Sequence, residues 1–266
     1  MDAFMHSVID SAFFDIGEAL RRRAVWIALA SEDIGDQHRR TTLGPLWMLI
    51  NYLALAGTFI LIFGAAGRGE NFAAYASVGL FVWLFLAETL TLSSDLFVRE
   101  ASFIRGTTLP LTTYVLRLTL QSVIRSAYAL VGCVAILLVA GVYPVGMWLW
   151  SIPGMALIVL TAPPVILIFA IAGAHFPDLR FLVQNVIRLG MFLTPIFWGD
   201  GDVSGLRGLL YHFNPFTYYL EVVRMPITDG VVSLRAWAVC LTIALLAWIV
   251  GILMLGRSRK QIVFVL

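Results

Sequence analysis

Residues 39–64 read RRTTLGPLWMLINYLALAGTFILIFG: two arginines are followed by 24 residues that carry no charge. A helix needs about 20 mostly apolar residues to cross the roughly 30 Å hydrocarbon core of a bilayer. Residues 45–64 meet that requirement. The stretch therefore predicts a membrane-spanning helix with an arginine anchor at one end.

The composition of the whole 266-residue chain agrees with this interpretation. Hydrophobic residues make up 60% of the chain and charged residues only 13%, against roughly 45–50% and 25% in soluble domains. So few polar residues cannot cover the surface of a soluble fold of this length. The composition predicts a polytopic membrane protein and excludes a cytosolic enzyme and a nucleic-acid-binding protein.

Six segments are candidate membrane spans: residues 45–64, 72–93, 118–142, 147–174, 181–198 and 236–256. The fifth is the shortest and contains Pro195, so we expect a half-span or re-entrant segment there. The predicted fold is all-α, with one transmembrane domain over residues 1–266. Within it we expect a cytoplasmic amphipathic region (1–44), a six-span bundle (45–256) and a cytoplasmic tail (257–266).

The basic residues predict the orientation of this bundle. Thirteen lie on the side that carries both termini: Arg21, Arg22, Arg23, Arg39, Arg40, Arg99, Arg105, Arg117, Arg180, Arg188, Arg257, Arg259 and Lys260. Four lie on the other side: Arg68, Arg207, Arg224 and Arg235. Because basic loops stay in the cytoplasm, both termini are predicted to be cytoplasmic.

The segment 13–34 has apolar residues at helical spacing, with arginines and a glutamate over much of the remaining circumference. Such a helix is expected to lie in the plane of the cytoplasmic leaflet. It either acts as a lever for a cytoplasmic partner or serves only as an orientation signal.

Arg39 and Arg40 stand where this segment meets the membrane, next to the helix-breaking pair Gly44-Pro45. Guanidinium groups bind phosphate oxygens in a bidentate manner, so this corner is a candidate site for an anionic headgroup. Simple anchoring on the cytoplasmic side explains two arginines equally well.

Residues 95–117 form a loop of more than twenty residues, longer than an ordinary connector. Residues 98–105 indicate a short charged helix, followed by a break at Gly106 and a new helix that begins with Pro110 in its first turn. A compact helix at this position can dock into a soluble partner, although a plain connector remains the alternative.

Residues 199–235 contain two apolar and aromatic pieces, 206–213 and 216–227, that are too short to cross a bilayer. They are joined at Asn214-Pro215 and are predicted to enter the outer leaflet and return. We expect an external lid here; the alternative is a periplasmic surface loop.

Two charges lie inside the predicted spans. Glu88 and Arg125 are each about 10 Å from the inner boundary. Intramembrane charges are costly and are usually paired or face a cavity, so we expect these two side chains to pair, the alternative being that each is satisfied separately.

Aromatic residues cluster in and near the first two spans, and sugar rings can slide over their flat faces. The candidate channel-lining residues are Trp47, Tyr52, Phe59, Trp83 and Phe85. Ordinary interface belts and core packing also explain such rings.

Several kinds of chemistry have no motif in this sequence. The one lysine, Lys260, is not part of a glycine-rich phosphate loop, so ATP binding by that route is excluded. The four histidines are scattered and show no metal-ligand spacing. The sequence implies no cofactor, no catalytic residue and no enzyme activity, and predicts a subunit that takes its energy from another protein.

The order of these pieces resembles the membrane-spanning subunit of bacterial ABC-2-type exporters, in particular those for O-antigen, capsule and teichoic acid. The resemblance covers residues 15–260. It is carried by residues 39–47 (RRTTLGPLW), by 103–105 leading to Leu109-Pro110, by 194–198 (TPIFW), and by 214–216 (NPF) with Glu221 and Arg224.

The resemblance implies an inner-membrane homodimer, a separate ABC ATPase subunit docked beneath it, and an undecaprenyl-pyrophosphate-linked polysaccharide as substrate. Segment 95–105 corresponds to the coupling helix, with Arg99, Glu100, Ser102, Phe103, Ile104 and Arg105 as the ATPase-coupling residues. Arg39 and Arg40 correspond to the entry for the lipid-pyrophosphate group. The periplasmic gate corresponds to residues 214–229, with Asn214, Pro215, Tyr218, Tyr219, Glu221 and Arg224. The chain departs from the family pattern in residues 105–108 (RGTT), where lysines are more usual, and at Glu88.

Three alternatives remain from the sequence. An ABC-2 exporter of a drug or small lipid shares the whole topology. An integral-membrane enzyme acting on lipid-linked sugars would need clustered acidic or histidine residues at one face. A passive channel or scaffold would need no coupling loop.

Overall fold

The computed structural model describes residues 2–39, 41–64, 71–198, 205–259 and 261–266. Every regular element in these ranges is helical, which confirms the all-α prediction. Five helices are long and apolar enough to cross a membrane, counting the 3₁₀ turn Gly146–Trp150 with the helix that follows it. The five are α3 (Leu46–Gly64), α4 (Phe72–Ser93), α7 (Leu111–Val139), α8 (Ser151–His175) and α12 (Leu234–Ser258).

The remaining helices are shorter or more polar. The predicted fifth span is α9 (Leu179–Leu193), whose 15 residues extend only about 22 Å. A sixth crossing at this place therefore stays a prediction. The others are α1 (Asp2–Arg21), α2 (Arg23–His38), α5 (Leu96–Arg99), α6 (Ala101–Gly106), α10 (Gly205–Phe213), α11 (Pro215–Thr228) and α13 (Ile262–Val265).

The N-terminal segment forms two helices rather than the single one expected for 13–34. The helical course is interrupted at Arg22, between α1 and α2. The interruption lets the two helices pack on different partners: α1 lies against α12 and α7, whereas α2 lies against α7. Tertiary packing therefore overrides the continuous helical periodicity of the sequence.

Helix α4 is the centre of the bundle. Its apolar residues are spread around most of its circumference, which is typical of a buried helix, and it packs against α3, α7, α8, α9 and α11. Phe97 in α5, just beyond its C-terminus, is also fully buried. The two ends of α4 consequently position the two groups of functional candidates, the 95–106 loop at one end and α11 at the other.

Two close contacts hold helices against this core. Gly256 of α12 meets the backbone of Val8 in α1, and Gly173 of α8 meets the carbonyl of Ser94; a Cβ atom at either glycine would overlap the neighbouring chain. Small residues allow this kind of close backbone approach between helices. A hydrogen bond adds to these contacts: Trp248 of α12 donates its indole N–H to the Leu160 carbonyl at 3.2 Å. This carbonyl has no donor within α8, because Pro164, four residues later, has no N–H.

Candidate functional site

The loop between α4 and α7 presents most of the predicted coupling residues on its outside. Its predicted single charged helix is divided into α5 and α6, and Pro110 caps α7 rather than lying in its first turn. Arg99, Ser102, Phe103 and Arg105 are exposed, Glu100 is half-buried and Ile104 is buried. The buried Ile104 holds the loop on the bundle and leaves the exposed residues available to a partner; their coupling role stays a prediction.

Arg117 of α7 joins this loop to the N-terminal helices. Its Nε and Nη2 atoms donate to the two carboxylate oxygens of Asp33 in α2 at 2.5 and 2.7 Å. Its Nη1 atom donates to Glu100 at 3.0 Å, and Gln121 also donates to Asp33. A bidentate guanidinium–carboxylate pair is geometrically specific, so α2, the 95–106 loop and α7 are held in a fixed relation.

Asp15 holds α1 in a similar way. It is fully buried and accepts hydrogen bonds from the Leu111 and Thr112 backbone N–H groups at 3.3 and 3.0 Å and from the Thr112 hydroxyl at 2.7 Å. These N–H groups belong to the first turn of α7. The N–H groups of a first turn have no acceptor within their own helix, so Asp15 supplies one. Arg259, just after α12, pairs with the same carboxylate at 3.0 Å.

The predicted anion corner is only partly described. Arg39 caps the end of α2, is strongly exposed and pairs with Asp36 at 3.4 Å. Arg40 lies outside the described residues. Gly44 has a φ of 54°, a left-handed conformation that favours glycine and turns the chain into α3. The Arg39 side chain is exposed despite its ion pair with Asp36, and binding of a headgroup by it stays a prediction.

The candidate channel-lining rings differ in their exposure. Tyr52, Trp83 and Phe85 are buried inside the chain, and the Tyr52 hydroxyl lies 2.9 Å from the Ser77 carbonyl, to which it donates. Trp47 is 40% exposed, and Phe59 is half-buried and stacks on Phe197 at 4.0 Å between ring centroids. In this conformation Trp47 and Phe59 therefore carry the channel-lining prediction.

The two intramembrane charges are in contact. Arg125 of α7 forms an ion pair through its Nε atom with the Glu88 carboxylate of α4. The contact joins two of the five long helices in the half of the bundle nearest α5.

The other end of α4 meets the predicted gate. Asn214 caps α11: its side-chain oxygen accepts from the Phe216 N–H at 2.9 Å, and its amide donates to the Thr194 hydroxyl at 2.8 Å. Pro215 occupies the first helical position, where its missing N–H has no cost. The hydroxyl of the buried Tyr218 donates to the His212 carbonyl at 2.8 Å. Helices α10 and α11 are thereby fixed to each other and to the segment after α9.

Residues 217–224 of α11 are all buried, including the charged Glu221 and Arg224. Arg224 donates to the Pro195 carbonyl at 2.7 Å and lies 3.7 Å from the Tyr75 ring centroid. Tyr211 donates its hydroxyl to Glu221; its burial and the adjacent carboxylate raise the pKa of this phenol. Burial also raises the pKa of Tyr219 to about 12. Both phenols therefore stay protonated at neutral pH.

Four residues of these networks were not selected from the sequence: Asp15, Asp33, Tyr75 and Tyr211. Each is a single residue in an amphipathic or aromatic stretch, and its partner lies 84 or more residues away except for Tyr211 with Glu221. The only sequence feature that marks Asp15 and Asp33 is an acidic residue within an otherwise apolar and basic amphipathic segment, which does not identify their partners.

Comparison with known proteins is consistent with this arrangement. Residues 24–227 match the model of the ABC-2 type transporter family. Two O-antigen export system permease proteins RfbA of Klebsiella pneumoniae are each 23% identical over 238 residues, which cover 88% of this chain and 92% of theirs. The RfbA permease of Myxococcus xanthus is 25% identical over 254 residues, with 85% and 91% covered. This chain therefore belongs to the ABC-2 type transporter family, as a membrane-spanning permease subunit.

Proposed function

We propose that this permease exports an O-antigen-like polysaccharide, carried on undecaprenyl pyrophosphate, across the bacterial inner membrane. Two copies of the chain form the pathway, both termini lie in the cytoplasm, and a separate ABC ATPase supplies the energy. The names of three relatives that match over most of both chains support polysaccharide export rather than export of a drug or small lipid. The proposed mechanism is based on the contacts of Arg117 with Asp33 and Glu100.

The ATPase docks on the exposed residues of the 95–106 loop. When ATP binding closes the ATPase dimer, the loop moves, and the Glu100–Arg117–Asp33 contacts transmit the movement to α2 and α7. Helix α2 ends at Arg39, so the same movement reaches the corner where a lipid pyrophosphate would enter. At the far end, α11 packs against α4, α8 and α12 and acts as the gate that these helices open.

The test uses a bacterial strain that synthesises lipid-linked O-antigen but lacks its own export permease. We expect this chain, produced with its ATPase, to restore O-antigen on the cell surface. Production without the ATPase is the matched control and should leave the glycan inside. Restored drug resistance without surface glycan would favour the alternative substrate class instead.

A further inference from the structure

A groove with a mostly apolar lining and a few polar side chains lies between α3, α4 and α7, apart from both the 95–106 loop and α11. Its volume is about 540 Å³, within the range of small-molecule sites. Gln37 of α2 and Met48 of α3 are among its lining residues. The lining residues of α4 run from Phe81 to Leu92, which corresponds to about 17 Å, so the groove follows about half of this helix.

The Glu88–Arg125 pair lies in the wall of this groove. The Glu88 side chain is 36% exposed and the Arg125 side chain 15%. Among the described residues, the Nη2 atom of Arg125 is buried and has no hydrogen-bond partner. An unused guanidinium N–H group at this depth is costly, and an ionisable pair inside a membrane protein points to a functional site.

The charges of the wall limit the ligand. One carboxylate and one guanidinium line the groove, so it has no net positive charge to attract a polyanion. A pyrophosphate at Arg125 would also be repelled by the adjacent Glu88. A ligand with one negative and one positive group matches both, since phosphate oxygens suit a guanidinium and an ammonium suits a carboxylate. Asn51, Thr91 and Ser126 add uncharged hydrogen-bonding groups to the wall.

The surroundings of the groove fit a lipid. Ile50, Leu53 and Leu130 are exposed apolar residues next in sequence to the lining residues Asn51, Tyr52 and Ala129. Such side chains of α3 and α7 can cover acyl chains. We propose that the groove binds the headgroup of a zwitterionic phospholipid of the phosphatidylethanolamine type. The phosphate lies at Arg125, the ammonium at Glu88, and the chains lie along α3 and α7.

The test is a titration of the purified full-length protein with phosphatidylethanolamine and, separately, phosphatidylglycerol, followed by native mass spectrometry. Wild-type protein is expected to bind the zwitterionic lipid more tightly than the anionic one. Replacing both charges, E88Q with R125M, leaves no unpaired charge and is expected to weaken phosphatidylethanolamine binding at least about tenfold, the factor that one charge-assisted hydrogen bond contributes. E88Q alone should shift the preference to phosphatidylglycerol.

The matched control is E18Q with R22Q, which removes the exposed ion pair of α1 outside the groove and should leave lipid binding unchanged. N51L changes the groove wall without touching the ion pair and should weaken binding even if the double variant fails to fold. The proposal is overturned if wild-type protein shows no preference for phosphatidylethanolamine, or if folded E88Q/R125M binds it as tightly as wild type. No transport is measured, so these outcomes are independent of the proposed export function.

Discussion

Arg117 holds both carboxylate oxygens of Asp33 and places its remaining nitrogen 3.0 Å from Glu100. One side chain of α7 therefore connects α2 to the 95–106 loop. The Arg117 and Glu100 side chains are each 17% exposed, so the contacts are partly protected from solvent screening. Any movement of the loop has to move α2 as well or break these bonds.

Replacing Arg117 by glutamine should separate ATP hydrolysis from export. The change leaves Asp33 and Glu100 without their common partner and should lower the free energy of unfolding by about 2 to 3 kcal/mol. We expect a lower apparent melting temperature in detergent, continued ATP hydrolysis by the assembled transporter and at least several-fold less export. The control is R22Q, because the exposed Arg22–Glu18 pair of the N-terminal helices lies outside the 95–106 loop and contributes less than about 1 kcal/mol. Equal stability and export in the two variants would contradict the role of Arg117.

Asp15 should be required for the docking of α1. D15N keeps the size of the side chain but removes the charge that pairs with Arg259 and accepts from the first turn of α7. Loss of such a cap costs about 1 to 2 kcal/mol. Limited proteolysis should cut the N-terminal region of D15N several times faster than that of wild type. D10N, on the exposed side of the same helix, should behave as wild type, and equal cleavage of all three proteins would refute the prediction.

We expect that lysine cannot replace Arg224. It donates to the Pro195 carbonyl and lies over the Tyr75 ring, and lysine cannot reproduce a planar group that does both. We expect R224K to lower the apparent melting temperature and to reduce export severalfold. R207K, a change at an exposed position of α10, serves as its control. Wild-type export by R224K would show that α11 does not depend on this contact.

Tyr211 should make stability depend on alkaline pH. Its folded-state pKa is raised by burial and by Glu221, whereas the unfolded chain has a pKa of about 10. The stabilisation of the protonated phenol is fully present below pH 10 and is lost as the pH rises toward the folded value. Between pH 8 and pH 11, Y211F should therefore lose less stability than wild type. Y143F, at an exposed tyrosine, should lose as much as wild type.

The positions of the long helices along the chain can be predicted from the sequence, because each of them is an apolar segment long enough to cross a membrane. Residues 45–64, 72–93 and 236–256 correspond within two residues to α3, α4 and α12. The helix-start signal at Pro110 predicts the beginning of α7 to within one residue. The apolar span predicted in it begins only at residue 118, because Arg117 and the threonines before it lower the local hydropathy. The break at Arg22 was missed because it follows from packing on two different surfaces, which periodicity along one segment does not contain.

Contacts in the candidate sites could be predicted where a short sequence motif, or the depth of a residue in the membrane, determines the local structure. Asn214-Pro215 is a helix-start signal and caps α11 as such, and an isolated intramembrane Glu88 needs a partner at the same depth, which Arg125 provides. The contacts of Asp15 and Asp33 were not predictable, because their partners are 96 and 84 residues away and only the folded chain brings them together. The burial of Trp83 likewise depends on Gly190 of α9 lying against it.

The most direct test of the proposed export function is transport in proteoliposomes that contain this chain, its ATPase and a fluorescent lipid-linked glycan. The measured quantity is glycan protected inside the vesicles, into which inverted transporters pump when ATP is added outside. We predict ATP-dependent accumulation that requires both proteins and disappears in the combined variant R99Q/E100Q/R105Q. Accumulation without the ATPase, or full accumulation in the combined variant, would contradict the conclusion that force enters through the 95–106 loop.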